Sequence, residues 1–248
     1  MPFSEQEPKP QPGQWFATTH WSVVLAAGHD SSPGAQDALE KLCSAYWYPL
    51  YAYVRRWGRS PEDSQDLTQA FFAKLLEKKS LRHAQKERGR FRTFLLSSLK
   101  NFLRSEWQKE QSERHGGGVI HLSWDQTTAE ERYQLEAVSD LTPDKVFEQR
   151  YALTVFQQAL NRLRDESVTD GKSERFDQLK GFLTNEPAEG AYKAAAERLG
   201  MSPESVAVSV HRLRQRYGEL VREGIAQTVD GPAEVQEELR YLIGLVGK

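Results

Sequence analysis

Apolar side chains recur along this chain at helical spacing, and no stretch shows the sustained alternation of a strand. One helical pattern runs from Ala35 to about Trp57, and Pro49 inside it predicts a kink or a junction of two helices. In "GRSPED", Gly58 supplies a stop, Ser60 a cap and Pro61 a first turn, with Glu62 and Asp63 complementing the helix dipole. The helix so begun, Pro61 to about Glu77, divides cleanly. Leu67, Phe71, Phe72, Leu75 and Leu76 share one side; Asp63, Asp66, Gln69, Ala70, Ala73 and Glu77 share the other. In "GRFRTFLLSSLKNFLRSEWQKEQ", Phe91, Phe94, Leu95, Leu96, Leu99, Phe102 and Leu103 fall on one broad arc, which is a core-facing pattern. Arg90, Ser97, Lys100 and Arg104 gather on a neighbouring arc, and Trp107 lies on the border.

Periodicity then lapses across residues 114–141, where a triple glycine and an acidic balance read as a linker. "TPDK" at 142–145 resembles a helix start, and Val146, Tyr151, Leu153, Phe156, Leu160 and Leu163 carry a helix to about Asp165. "DESVTDGKSE" is expected to break it before a further helix from Arg175 to about Leu183. "AYKAAAERLGMSPESVAVSVHRLRQRYGEL" has the layout of a helix-turn-helix. The first helix ends at Leu199, Gly200 supplies the left-handed turn position, Ser202 caps the second helix, and Pro203 opens it; Val206, Val210 and Leu213 face inward. Ala196 is small where the two helices must cross.

The pattern therefore predicts an all-α protein of two helical domains. Its parts are an N-terminal extension (1–34) with a short helix in "TTHWSVVLAAG", a first domain (35–113), a linker (114–141), a helix-turn-helix domain (142–229) and a C-terminal tail (230–248). Leu239, Tyr241, Leu242, Ile243 and Leu245 in the tail are expected to close the second domain, the alternative being to dock a regulator.

Charge sharpens this picture. The 248 residues carry a formal charge of −2, yet Lys74 to Arg114 holds twelve Lys or Arg against five acids, an excess of seven positive charges. Cations concentrated on one helix beside an aromatic are the footprint of a nucleic-acid contact. The arginines at 212, 214 and 216 would serve a second contact, since a recognition helix meets phosphates and base edges in a major groove about 12 Å wide.

Other chemistries find little support. Cys43 is the single cysteine, expected as a small core residue. His20, His29, His83, His115, His121 and His211 have no ligand-like spacing, and "HGGGV" lacks the strand and helix of a phosphate loop. No catalytic group, metal or cofactor is expected. No apolar run approaches the ~20 residues of a membrane span, and the acidic, Pro-rich start is unlike a secretory signal. A cytoplasmic protein is expected.

Together, "SPEDSQDLTQAFFAKLLE", "GRFRTFLLSSLKNFLRSEWQKE" and the helix-turn-helix from Tyr192 to Tyr217 resemble a bacterial RNA polymerase sigma factor of the extracytoplasmic-function group, two-domain relatives of sigma-70. The first segment is similar to the family's polymerase-binding helix at Asp63, Asp66, Leu67, Gln69 and Phe72, with Gln65 and Ala70 where acids are common. The second is similar to its promoter-melting helix. "TTHWSVVLAAG", "AYWYPLYAYVRRWG" and "EGIAQTVDGPAEVQEELRYL" resemble a subgroup frequent in planctomycete and related bacteria. The Leu-Pro and "REV" helix usual before the helix-turn-helix is not recognisable in 164–190.

The resemblance implies a specificity subunit without catalysis. Asp63, Asp66, Leu67, Gln69, Ala70, Ala73 and Glu77 would bind the beta-prime clamp helices of core RNA polymerase. Arg90, Arg92, Lys100, Asn101, Arg104, Trp107 and Lys109 would face the −10 element of promoter DNA, with the loop "KKSLRHAQKERG" forming much of a pocket for an unstacked base. Ser202, Ser205, Ser209, Arg212, Arg214 and Arg216 would read the −35 element. The linker would lie along the RNA path, and an anti-sigma protein is a further partner the resemblance allows. The rival reading is a stand-alone helix-turn-helix regulator.

Overall fold

The computed structural model describes residues 33–76, 90–112, 126–135, 141–185, 187–188, 190–229 and 231–247. Every regular element among them is helical. The order is α1 (Pro33–Arg56), α2 (Pro61–Leu76), α3 (Phe91–Ser112), α4 (Gln126–Leu135), α5 (Pro143–Thr169), α6 (Ser173–Leu179) with a 3-10 turn (Lys180–Phe182), α7 (Ala191–Leu199), α8 (Pro203–Ala226) and α9 (Pro232–Val246). Glu77, the expected pocket loop at 78–89, the expected helix in 18–28 and the side chain of Cys43 lie outside the described residues.

The chain forms two compact units. One comprises residues up to Thr154 together with those from Ile225 onward, and the other is Val155–Gly224. This division differs from the expected boundary near residue 142 and places the tail with the first unit rather than with the helix-turn-helix. α5 contributes its opening turns to the first unit and its remainder to the second.

The first unit is built on large aromatics. Tyr46 of α1 stacks on Tyr151 of α5 at 4.7 Å between ring centroids and meets Phe91 of α3 edge-on at 5.1 Å. Leu50, Val54, Leu95, Leu99, Val146, Phe147 and Leu242 complete the buried interior, and aromatic rings supply large buried areas with defined geometry. Phe71 of α2 packs on Phe102 of α3. Pro49 marks no junction: α1 runs through it as one helix. The burial of Tyr46, Trp47, Leu50 and Tyr51 around it offsets the lost backbone hydrogen bond. Gly58 stops α1 with φ +101°, and the Ser60 Oγ accepts the Asp63 N–H at 3.0 Å to start α2.

The segment expected as a featureless linker contains α4, and α4 is fixed to α1 by polar contacts. Glu130 accepts from Arg55 Nε and Nη2, both at 2.9 Å, and from the Tyr51 hydroxyl. Arg55 lies over the Tyr133 ring at 5.0 Å, and Arg132 over Tyr48 at 4.0 Å. α5 also continues through "DESVT" to Thr169, where a break was expected; Ser167 is buried and donates to the Leu163 carbonyl at 2.8 Å.

The second unit centres on Leu179, Ala195, Ala196, Val206 and Val210, with Phe182, Tyr192, Leu199, Met201 and Leu213 packed around them.

Partial burial alone would raise the Glu130 pKa, but the hydrogen bonds from Arg55, Tyr51 and Gln134 outweigh it and hold the carboxyl at about 2, below its ordinary 4.5. A carboxylate with a depressed folded-state pKa stabilises above its unfolded value and loses that contribution as pH falls through the folded one. Urea unfolding of the wild type and Glu130→Gln should therefore differ at pH 6, and the gap should close between about pH 4.5 and 2. A gap that persists at pH 2 would show that the charge is not what holds α4.

Candidate nucleic-acid interface

α3 carries two groups of cations with different fates. At its N-terminal end, Arg92 is buried: its Nε donates to Glu238 Oε1 at 2.6 Å, Nη2 to Glu238 Oε2 at 3.3 Å, and Nη1 to Glu148 Oε1 at 3.3 Å. Tyr241 of α9 offers its ring face at 4.6 Å. Burial alone would lower the Arg92 pKa, but the Glu238 and Glu148 carboxylates raise it, so the guanidinium stays charged inside the fold. Arg90 contacts Glu238 at 3.1 Å and Glu237 at 3.3 Å. The expectation that Arg92 faces DNA is corrected, and Arg90 is largely engaged by the acids of α9. An arginine in a water-excluded shell needs a carboxylate, and α9 supplies one.

Toward its C-terminal end α3 is open. Asn101, Arg104, Trp107 and Lys109 are exposed, and Lys100 reaches Asp144 at the start of α5 in a pair whose side chains remain 40% and 46% exposed. Such a surface pair is worth ~0–1 kcal/mol, so the ammonium can exchange Asp144 for a phosphate at little cost. Lys109 pairs with Glu106 one turn back at 2.8 Å. Lys100, Arg104 and Trp107 line an open cleft of about 410 Å³ with Leu103, Tyr53 and Trp57. Two tryptophans at 43% and 47% exposure beside two cations offer flat apolar faces and positive charge together, the means by which unpaired bases are held. Trp57 and Tyr53 escaped the sequence reading. Their signal was the i, i+4 aromatic spacing at the end of α1.

On α2 the structure sorts the expected polar side. Asp63, Ala70 and Ala73 are exposed, and Asp66 and Leu67 are half-buried. Gln69 belongs to the interior at 2% exposure, so its placement on the outer face is corrected. It lies beside buried Ser64 and Thr68, and neither its amide nor the Ser64 hydroxyl finds a hydrogen-bond partner among the described residues.

The helix-turn-helix has the expected local geometry. α7 ends at Leu199, Gly200 takes φ +61° and ψ +34°, and the Met201 N–H closes onto the Ala196 carbonyl at 3.0 Å. The Ser202 Oγ accepts the Ser205 N–H at 3.2 Å, and Val206 and Val210 are buried beneath. The predicted readers divide in the same way as the α3 cations. Ser202 is exposed but serves as the cap, and the Ser209 hydroxyl turns back to the Ser205 carbonyl at 2.8 Å. Arg214 donates to the carbonyls of Phe182 at 2.8 Å and Asn185 at 3.1 Å. Arg216 binds Glu166 at 2.7 Å, Glu219 at 3.0 Å and Glu223 at 3.1 Å; these carboxylates, Glu166 foremost, raise its pKa. Arg214 and Arg216 therefore hold the unit together. Ser205 and Arg212 remain on the outer surface.

Among the described residues no group of three or more His, Cys, Asp or Glu could hold a metal, and no helix is long and apolar enough to cross a membrane. The family model described as Sigma-70 region 2 matches residues 42–113, which take in most of α1, all of α2 and α3. This segment is thus similar to Sigma-70 region 2, and every residue that lines the open cleft lies within it. No curated protein and no solved structure matches the chain.

The two kinds of arginine are separable by stability. Arg216→Ala should cost about 1 kcal/mol, since a half-exposed network is worth more than one surface pair. Arg104→Ala and Arg212→Ala should each stay within about 0.5 kcal/mol of the wild type in urea unfolding. A loss at Arg104 or Arg212 as large as at Arg216 would contradict their assignment to open surface.

Proposed function

We propose that this chain is a dissociable sigma subunit of bacterial RNA polymerase, of the two-domain extracytoplasmic-function type, acting in the cytoplasm where promoter DNA and core enzyme meet. The observation that carries this reading is the region 2 match on residues 42–113, whose last helix places Lys100, Arg104 and Trp107 along one open cleft and leaves Asn101 and Lys109 exposed elsewhere on its surface. The outer side of α2, with Asp63, Asp66, Ala70 and Ala73, would bind the clamp helices of core polymerase. The cleft between Trp57, Lys100, Arg104 and Trp107 would hold the unpaired strand of the −10 element. Unstacking a base costs a few kcal/mol, and stacking on an indole returns about 1–3 kcal/mol per base. The outer surface of α8, from Ser205 to Arg212, would read the −35 element. Within that type the chain would fall in the planctomycete-like subgroup, and an anti-sigma partner would act on these surfaces.

The stand-alone regulator reading accounts for the helix-turn-helix but leaves the region 2 match without a role. Core binding separates the two. Asp66→Arg should weaken co-purification with bacterial core polymerase by about tenfold, as charge reversal at an interface does, with melting temperature unchanged. Arg104→Ala with Trp107→Ala should leave core binding intact and lower open-complex formation about tenfold, the loss of one stacked base and one phosphate contact. A chain that ignores core polymerase yet binds duplex specifically would replace this reading with the regulator.

A further inference from the structure

We infer that Val208 is a specificity-determining residue that reads the 5-methyl group of a thymine in the upstream promoter element. This rests on the reading of α8 as a recognition helix and deepens it.

At 100° per residue, Val208 falls about 190° from the mean direction of Val206, Val210 and Leu213, the residues that face the unit's core. It is thus the outermost point of the helix, and 50% of it is exposed. Its outward neighbours Glu204, Ser205, His211, Arg212 and Gln215 are all exposed and all polar. A lone exposed valine is unremarkable on most surfaces. Here it sits second turn from the N-terminus of the helix that a helix-turn-helix lays into the groove, where side chains meet base edges. β-branching is a small handicap on an exposed helical face.

The chemistry fits one base. The thymine methyl is the single apolar feature that a base pair shows in the major groove, and aliphatic side chains are its usual partners. Valine holds one χ1 rotamer in a helix for about nine-tenths of the time. Its two methyls are therefore already placed, and contact costs little side-chain entropy. Ser205, one turn before, and Arg212, one turn after, are spaced to meet the neighbouring phosphates or base edges. Ser209, next to Val208, commits its hydroxyl to the Ser205 carbonyl.

The full chain assembled with bacterial core polymerase is used to select upstream sequences from a randomised promoter pool. In the selected sequence each thymine is then replaced singly by deoxyuridine, which removes only the methyl. One position in the upstream element should lose about fourfold in affinity, the worth of one buried methyl group, and Val208→Ala should abolish that sensitivity. Alanine is the better helix former, so the variant keeps its fold. A selected element whose thymines all tolerate deoxyuridine, or a Val208→Ala holoenzyme with the same sensitivity, would overturn the inference and leave the sigma reading standing. A chain that forms no holoenzyme, or a holoenzyme that selects no upstream sequence, would overturn both.

Discussion

The pairing of Arg92 with Glu238 is the constraint on which the first unit depends. The Glu238 side chain is 1% exposed, and its carboxylate receives Arg92 at 2.6 Å and Arg90 at 3.1 Å. Neither charge could stay in that interior alone, because an isolated buried ion costs several kcal/mol. The pair therefore fixes where α9 packs, with Val235 and Leu242 buried alongside Glu238 at i−3 and i+4. It also fixes the start of α3. The Phe91 N–H bonds the Thr228 carbonyl at 3.1 Å, and the Thr228 and Tyr151 hydroxyls meet at 3.2 Å.

That arrangement sorts the positive charge of α3 by depth. Arg92 at its beginning is internal, neutralised by Glu238 and Glu148, and the partly exposed Arg90 just before it is held by Glu237 and Glu238. The cations past Leu99 remain at the surface, next to Trp57 and Trp107. The same economy governs the second unit, where Arg214 and Arg216 secure the helix-turn-helix against carbonyls and carboxylates while Ser205, Val208 and Arg212 face outward. In both units an arginine that the sequence places on an outer face can instead be a fastener, and the distinction lies in what surrounds it.

Features specified by neighbours in sequence were legible. The Ser60 and Ser202 caps, the Gly58 and Gly200 stops and the apolar arc of α3 all follow from residues within a turn or two. The all-α class followed with them. What long-range pairing decides was not legible. Arg92 reads as a surface cation until a carboxylate 146 positions away closes on it. The hint was Glu238 itself, a charge at a core position of an otherwise apolar stripe. α4 was read as linker because it has almost no apolar face; its attachment is ionic, through Glu130. Gln69 lies about 70° from the centre of the polar arc of α2 at 100° per residue, near enough to the border for tertiary packing to take it inside. α5 continues past Asp165 with Ser167 buried and its hydroxyl on the Leu163 carbonyl, a burial that local composition does not signal.

The most direct test of the account is a double-mutant cycle on the charge pair that seats α9 against α3. Arg92→Ala, Glu238→Ala and the double variant would be compared by urea unfolding of the full chain. Each single change leaves a buried charge with only its lesser partner, Arg90 for Glu238 or Glu148 for Arg92, so the double variant should be less damaged than the sum, with a coupling of about 2 kcal/mol. Additivity within about 0.5 kcal/mol would mean that the two side chains do not meet in an interior, and that Arg92 belongs with the surface cations after all.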